Sequence, residues 1–411
     1  MLVAAAGMNF SNARKHKRLA PTAQTSKIGK GKGRAREGHM DQAGTTIIML
    51  TLVAILPITG FLVAATPYLM RRGEVFAVTV PTAARRDPYL SRLKRRFAAI
   101  VAVATALLTV AGAAFAVAGN EPGVLTVLSA GLLALCAGSY ALMLRYRAKT
   151  RAYKAAQGWK AEAQEAVASV GEGFAPKAIS LKWNLLYVPV VLLTLAVGIV
   201  GYPHLPDMIP MHADFSGNVN SWMPKGPGVV LFPVMVQAFL AVVFAFSHWS
   251  IMRSKKAANP EAPAASALAY GMFARAESVL LLAGGLIAAA VLGIAFELSS
   301  FGVVSLGQAG GMIVASCIPI LVGSVVVAVV YGQSGSRVFK RLSESETMLV
   351  DNDEHWKLGI FYWNPQDASL FLPERFGIGW TVNWARPAIW VILAAGVALT
   401  VAFVVGVFLL V

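Results

Sequence analysis

Apolar residues in this chain come in long uninterrupted blocks, and polar residues gather between the blocks rather than alternating within them. A block of about 18 or more apolar residues can cross the hydrocarbon of a bilayer as a helix, which satisfies its own backbone hydrogen bonds there. Such blocks fall at Thr45–Met70, Phe97–Ala118, Val124–Leu144, Trp183–Tyr202, Gly228–His248, Ala276–Phe296, Gln308–Tyr331 and Pro387–Leu410. The pattern predicts an all-α polytopic membrane protein with about eight transmembrane helices. Pro57, Pro189, Pro233 and Pro319 lie inside four of the blocks and predict kinks; neighbouring helices can re-satisfy the freed carbonyls.

Composition sharpens this picture. The chain is 57% hydrophobic and 14% charged, whereas a soluble domain carries about a quarter charged residues. Its net charge of +16 sits between apolar blocks rather than on one basic domain, which argues for topology and against nucleic acid. The connectors 71–96, 145–182, 253–275 and 337–386 hold 26 of the 36 Lys and Arg, while the alternate connectors hold only Lys225. Cytoplasmic loops retain such residues, so these four connectors are expected inside and both termini outside. The other nine precede the first block in Met1–His39, a stretch with no apolar period and no signal-peptide core, expected to be disordered. Its charge disagrees with an outside location. Translation is therefore expected to begin at or near Met40, and Arg36-Glu37-Gly38 could be encoded by a purine-rich, ribosome-binding type of sequence.

The domain plan that follows has a basic tail (1–44), three spans with a basic loop (45–144), and a linker (145–182). A helix pair around an outer loop at 202–226 comes next (183–252), then two further spans (253–332), a cytoplasmic segment (333–386) and the last span (387–411). In the linker, Ala152, Ala156, Trp159, Ala163, Ala166 and Val170 recur every three or four residues and predict an amphipathic helix over 151–170. Cys136 and Cys317 fall within apolar blocks, as small buried hydrophobes rather than a disulfide or zinc framework.

Chemistry is sparse. The blocks hold almost no ionisable groups, which weighs against an ion-coupled transporter; Glu277, Glu297 and His248 lie near block ends, where snorkelling to the interface is expected. There is no H-E-x-x-H, phosphate loop or nucleophile elbow, so neither an enzyme nor a cofactor is indicated. Trp356, Trp363, Trp380, Trp384 and Trp390 crowd the last connector and block, as an interfacial belt or a docking surface for a soluble regulator.

Two connectors are more informative. In the first, YPHLPDMIPMHADFSGNVNSWMPKG, three prolines and an Asn/Gly-rich turn predict a compact loop. His204, Asp207, His212 and Asp214 are metal-ligand types, but their spacing is not that of a helical pair, and a hydrogen-bonded turn anchored by His212 is the favoured account. In the second, Lys357–Trp363 and Ser369–Pro373 read as short strands around an Asn364–Asp367 turn.

The first loop resembles the signature of a bacterial membrane family called domain of unknown function 1648, through Leu205, Pro206, Ile209, Pro210, His212, Gly217 and Trp222. The second resembles domain of unknown function 5808. Trp356, Gly359, Tyr362, Asn364, Pro365 and Asp367 carry its first part, and Pro373, Arg375, Phe376, Gly377, Gly379 and Asn383 its last. Strand-like Val75–Val80 followed by Pro81 resembles a further piece of the same proteins, with Ala77 at a position usually glycine, which puts a close backbone approach there in doubt. The best-understood relatives are SdpI-type immunity proteins. The resemblance implies a bacterial cytoplasmic membrane, a non-enzymatic role in immunity to or sensing of a secreted peptide toxin, and a soluble regulator as a possible inner partner. Transport or export, and membrane anchoring of a regulator, are the alternatives. Glu121, Asp207, Asp214 and Glu297 against Lys225 would make the outer face acidic and attractive to a cationic peptide.

Overall fold

A computed structural model describes residues 42–71, 73–161, 175–214, 219–256, 259, 262–342, 351–376 and 379–410. The expectations about Met1–His39 and Met40 lie outside the described residues, as do Gly217 and Gly377. Among the described residues, 8 helical stretches are long and apolar enough to cross a membrane.

The first span is α1 (Gln42–Val53) and α2 (Ile55–Leu69), interrupted at Ala54. Pro57 has no N–H to offer the carbonyl of Val53, so the break falls one turn before it. Helix therefore starts ahead of Thr45, and the expected tail gives up its last residues to α1. The second span is α3 (Pro88–Val117). The third comprises α4 (Glu121–Thr126), a π-helical turn at Val127–Gly131 and α5 (Leu132–Ala156). A 3-10 turn at Leu181–Leu186 leads into α6 (Tyr187–Gly201), with Pro189 in its first turn. Then follow α7 (Pro227–Arg253), α8 (Pro263–Ser300), α9 (Leu306–Tyr331), the short α10 (Ser336–Leu342) and α11 (Pro387–Leu410).

Two of these helices begin well before their apolar blocks. Asp87 caps α3 by accepting from the N–H groups of Tyr89 and Leu90 at 2.8 and 3.1 Å, with Pro88 at the first position. Helix α8 likewise starts at Pro263 rather than near Ala276. Hydrophobicity marks the lipid-crossing part of a helix, and these helices continue past it.

Helices α1 to α5 pack around α3, and α6, α7 and α9 pack around α8; α9 also touches α1 and α2 and so joins the two groups. The crossing of α2 and α3 is close because Gly60 faces Thr105, whose Oγ1 would lie 2.1 Å from a Cβ there. Helix α11 leans on α7, with Phe239 stacked on Phe403 at 4.2 Å. Cys136 and Cys317 are exposed on helix surfaces rather than buried.

The polar connectors form small hairpins. The expected strand Val75–Val80 is two strands, β1 (Glu74–Val75) and β2 (Val78–Thr79), because Phe76 and Ala77 take φ of 48° and 58° and turn the chain back. Strands β3 (Met208–Ala213) and β4 (Val219–Pro224) pair at the opposite end of the bundle. In the last connector β5 (Trp356–Lys357) pairs with β6 (Phe361–Tyr362), and β7 (Phe371–Pro373) with β8 (Trp380–Val382). The expected pairing across Asn364–Asp367 does not form. The reversal falls instead at Leu358 and Gly359, with φ of 51° and 79°, while the Asn-Pro turn carries the chain from one hairpin to the other. The expected helix over 151–170 also ends early: α5 stops at Ala156, Gly158 takes φ of 67°, and residues 162–174 lie outside the described part.

Candidate functional site

Strands β3 and β4 form an amphipathic ribbon. Ile209 and Met223 are opposite each other, and with Leu205 and Val229 they are buried against Tyr202, Phe296 and Phe301. The neighbouring pairs Met208–Pro224 and Pro210–Trp222 point to the other face. Trp222 is 51% exposed and Met208 48%. A register shift after Pro210 re-aims His212, whose Nδ1 lies 2.5 Å from Asn220 Oδ1.

Lys225 anchors the root. Its Nζ donates to the carbonyls of Pro203 and Leu205 at 3.2 and 3.0 Å and lies over the Tyr202 ring. Pro206, His204 and Asp207 are exposed and Asp214 half-buried, and His204, Asp207, His212 and Asp214 do not converge: among the described residues no group of three or more such side chains could hold a metal. His212 instead braces the hairpin. Glu297 does not face outward with Asp207; it is 8% exposed, so the acidic surface expected here loses one of its members. Snorkelling fails for His248 also, which is fully buried against Ile179 and Asn184 in the chain leading into α6, while Glu297 turns toward Gly198 of α6 and Val230 of α7.

The other end of the bundle carries a polar cap built from three connectors. Asp353 is its centre, accepting from Thr79 N at 3.0 Å, Thr79 Oγ1 at 2.8 Å, Lys154 Nζ at 2.9 Å and Arg375 Nη1. Burial alone would raise its pKa, but the Arg375 guanidinium and the Lys154 ammonium hold it well below the usual carboxylate range. Arg375 also reaches Asn352 Oδ1, lies 3.6 Å from Glu74 and sits over the Trp356 ring at 5.1 Å. Arg147 and Arg375 both donate to the carbonyl of Ala77. The close backbone approach put in doubt by alanine at this position is therefore made, at the cost of a left-handed φ on a residue with a Cβ. Gly359 lets its turn fit there, since a Cβ would lie 3.2 Å from that of Ala77.

A second cluster orders the last connector. Asn383 Nδ2 donates to the carbonyls of Asn364 and Asp367 at 2.8 and 2.9 Å, and Asn364 N donates back to Asn383 Oδ1 at 3.1 Å. Tyr362 Oη and Lys255 Nζ meet Asp367 Oδ2 at 3.0 and 2.7 Å. Burial would raise the Asp367 pKa, and Lys255 with the Ser369 N–H brings it below the usual value. Gln333 bonds Gly379 in both directions and the carbonyl of Glu374. Phe376 meets Phe97 edge-on at 6.1 Å, and Pro373 is buried in β7. Burial pushes the Glu374 carboxyl up to about 7. The cap motif residues thus hold one another. Trp356 and Trp380 are used inside the cap, Trp380 stacking on Phe273 at 5.5 Å, whereas Trp363 and Trp390 are exposed as an interfacial belt would have them. Lys154, Asp353 and Gln333 were missed from sequence, because isolated polar residues in connectors give no periodic signal.

A family model described as "Domain of unknown function (DUF1648)" matches residues 190–236, which covers most of α6, the β3–β4 hairpin and the first part of α7. A second, described as "Family of unknown function (DUF5808)", matches residues 365–390, from the Asn-Pro turn through β7 and β8 to the start of α11. Trp356, Gly359, Tyr362 and Asn364 lie outside that stretch, though they belong to the same cap. No curated protein and no solved structure matches the chain.

Proposed function

We propose that this chain is a non-enzymatic protein of the bacterial cytoplasmic membrane that senses or neutralises a secreted antimicrobial peptide, as SdpI-like immunity proteins do, with β3–β4 as the recognition element. The observation that carries this reading is the two-faced hairpin. One face is locked into the bundle by Ile209 and Met223, while the other presents Met208, Pro210, Trp222 and Pro224. An exposed apolar patch on a rigid support is the usual mark of a binding surface, and tryptophan is a frequent anchor. The two-stranded ribbon also has open edges that an extended peptide can extend. The distribution of Lys and Arg supports an orientation with the hairpin outside and the cap inside.

The test is survival of a sensitive host that expresses the protein and is challenged with the peptide encoded nearest its gene. Wild type should protect, and Trp222→Ala together with Asp207→Asn should protect less at equal membrane level. Absence of protection by wild type, or equal protection by the variant, would end the hairpin reading. Transport or export is a second reading, supported by the buried polar groups of α6, α7 and α8; it requires peptide flux across proteoliposomes. Binding without flux favours immunity or sensing.

A further inference from the structure

A polar seam runs between α6, α7 and α8. At the cap end His248 lies with Nε2 2.9 Å from the carbonyl of Ile179 and Nδ1 3.0 Å from Asn184 Nδ2. Tyr187 Oη is buried against Gly285, and further along Gln237 Nε2 donates to Thr194 Oγ1 and the Ala289 carbonyl at 2.9 Å each. At the hairpin end Glu297 Oε1 lies beside Gly198 and Val230. Gly285, Ala289, Gly293 and Glu297 recur every fourth residue and share one face of α8. From Gly285 to Glu297 is about 18 Å along the helix, more than half of the roughly 30 Å hydrocarbon core.

Buried polar atoms are nearly always paired. Along this seam Asn184 Oδ1, Tyr187 Oη, Gln237 Oε1 and Glu297 Oε1 are all sealed from solvent and, among the described residues, without a partner. A concentration of such atoms on one three-helix interface is what a site that exchanges a small polar species requires.

We propose that Glu297 is a proton-binding site inside the bundle, loaded from the hairpin end, with Gln237 the next polar group along the seam. A metal cation would need a shell of several oxygens, whereas the surroundings of Glu297 Oε1 include the Val230 side chain and the Gly198 backbone. A proton needs one carboxyl oxygen. The helices packed on α8 carry no Asp, Glu, His, Lys or Arg near it: α6 and α9 contain none, and α7 has only His248 and Arg253 toward its other end, while Lys225 at the hairpin root is held by the carbonyls of Pro203 and Leu205. An ionised carboxylate there would be costly, and an intramembrane carboxyl of this kind is a functional group by default. Glu297 is 8% exposed and lies at the hairpin end of α8, next in sequence to Phe296, which packs under Leu205, Ile209 and Met223.

The test is infrared difference spectroscopy of the full-length protein in lipid nanodiscs, titrated between about pH 5 and about pH 9. Glu277→Gln and Glu374→Gln are built in, to remove two other partly buried carboxyls. A protonated-carboxyl C=O band should remain at neutral pH, disappear on further substitution of Glu297→Gln, and move in frequency in Glu297→Asp. A band unchanged by Glu297→Gln would overturn the proposal, as would displacement of the proton by sodium at constant pH. If the glutamine variant does not fold, Glu297→Asp decides, and an unmoved band overturns the proposal. The inference does not depend on what the hairpin binds, and the spectrum is independent of protection.

Discussion

Arg375 is the side chain whose loss should open the cap without disturbing the spans. It is 3% exposed and joins Asp353, Glu74, Asn352 and Thr79, and so ties β7 to β1 and β2. Arg375→Met keeps much of the volume and removes the charge. Breaking a buried ion pair from one side costs about 3–5 kcal/mol. Asp353 keeps Lys154 at 2.9 Å and Glu74 keeps Arg71 at 3.9 Å, so the lower end applies. A cost of ~3 kcal/mol multiplies the open population roughly a hundredfold. Hydrogen exchange measured by mass spectrometry should therefore speed up by about that factor for Thr79 and for 371–376, while the amides of α7 and α8 remain protected. Adding Asp353→Asn removes the stranded charge, so the double variant should exchange more slowly than the sum of the single effects requires. Exchange within about threefold of wild type in Arg375→Met would refute the clamp, and so would strictly additive effects.

Three further outcomes are expected. The Asp353 carboxyl lies below its unfolded value, so its contribution is present above about pH 4 and lost as pH falls through and below that range; Glu374, raised by burial to about 7, contributes fully below about pH 4 and loses its contribution as pH rises through 7. Cap protection should thus peak in mildly acid solution, and Glu374→Gln should flatten the alkaline side. In a variant lacking Cys136 and Cys317, an impermeant thiol reagent should label Ser221→Cys from outside intact cells and miss Gln366→Cys; the reverse pattern would invert the orientation. Ile209→Ala should destabilise the hairpin root by about 2–4 kcal/mol, read as faster exchange of β3 and β4 with the bundle intact, and unchanged exchange would show that the root does not depend on this residue.

The number and approximate placement of the spans were legible in the sequence, because the need to satisfy backbone groups in lipid writes itself into every long apolar block. A compact loop at 202–226 was legible too, from its prolines and its Asn/Gly turn, but its pairing as the two-faced ribbon β3–β4 was not. Where the helices extend past lipid was not, because Asp87-Pro88 and Pro263 begin helix among charged or small residues that a hydrophobicity pattern discounts. Strand pairing in the last connector was also decided in three dimensions: the positive φ angles of Phe76, Ala77, Leu358 and Gly359 place both turns where Arg147 and Arg375 reach the Ala77 carbonyl. Glu297 shows the limit most plainly. Near a span end a carboxylate is expected to reach for water, and nothing local distinguishes one that does from one that does not. Its burial is set by Gly198 on α6 and Val230 on α7, both remote in sequence: the absence of a Cβ at Gly198 leaves room for it inside the bundle, beside the apolar Val230.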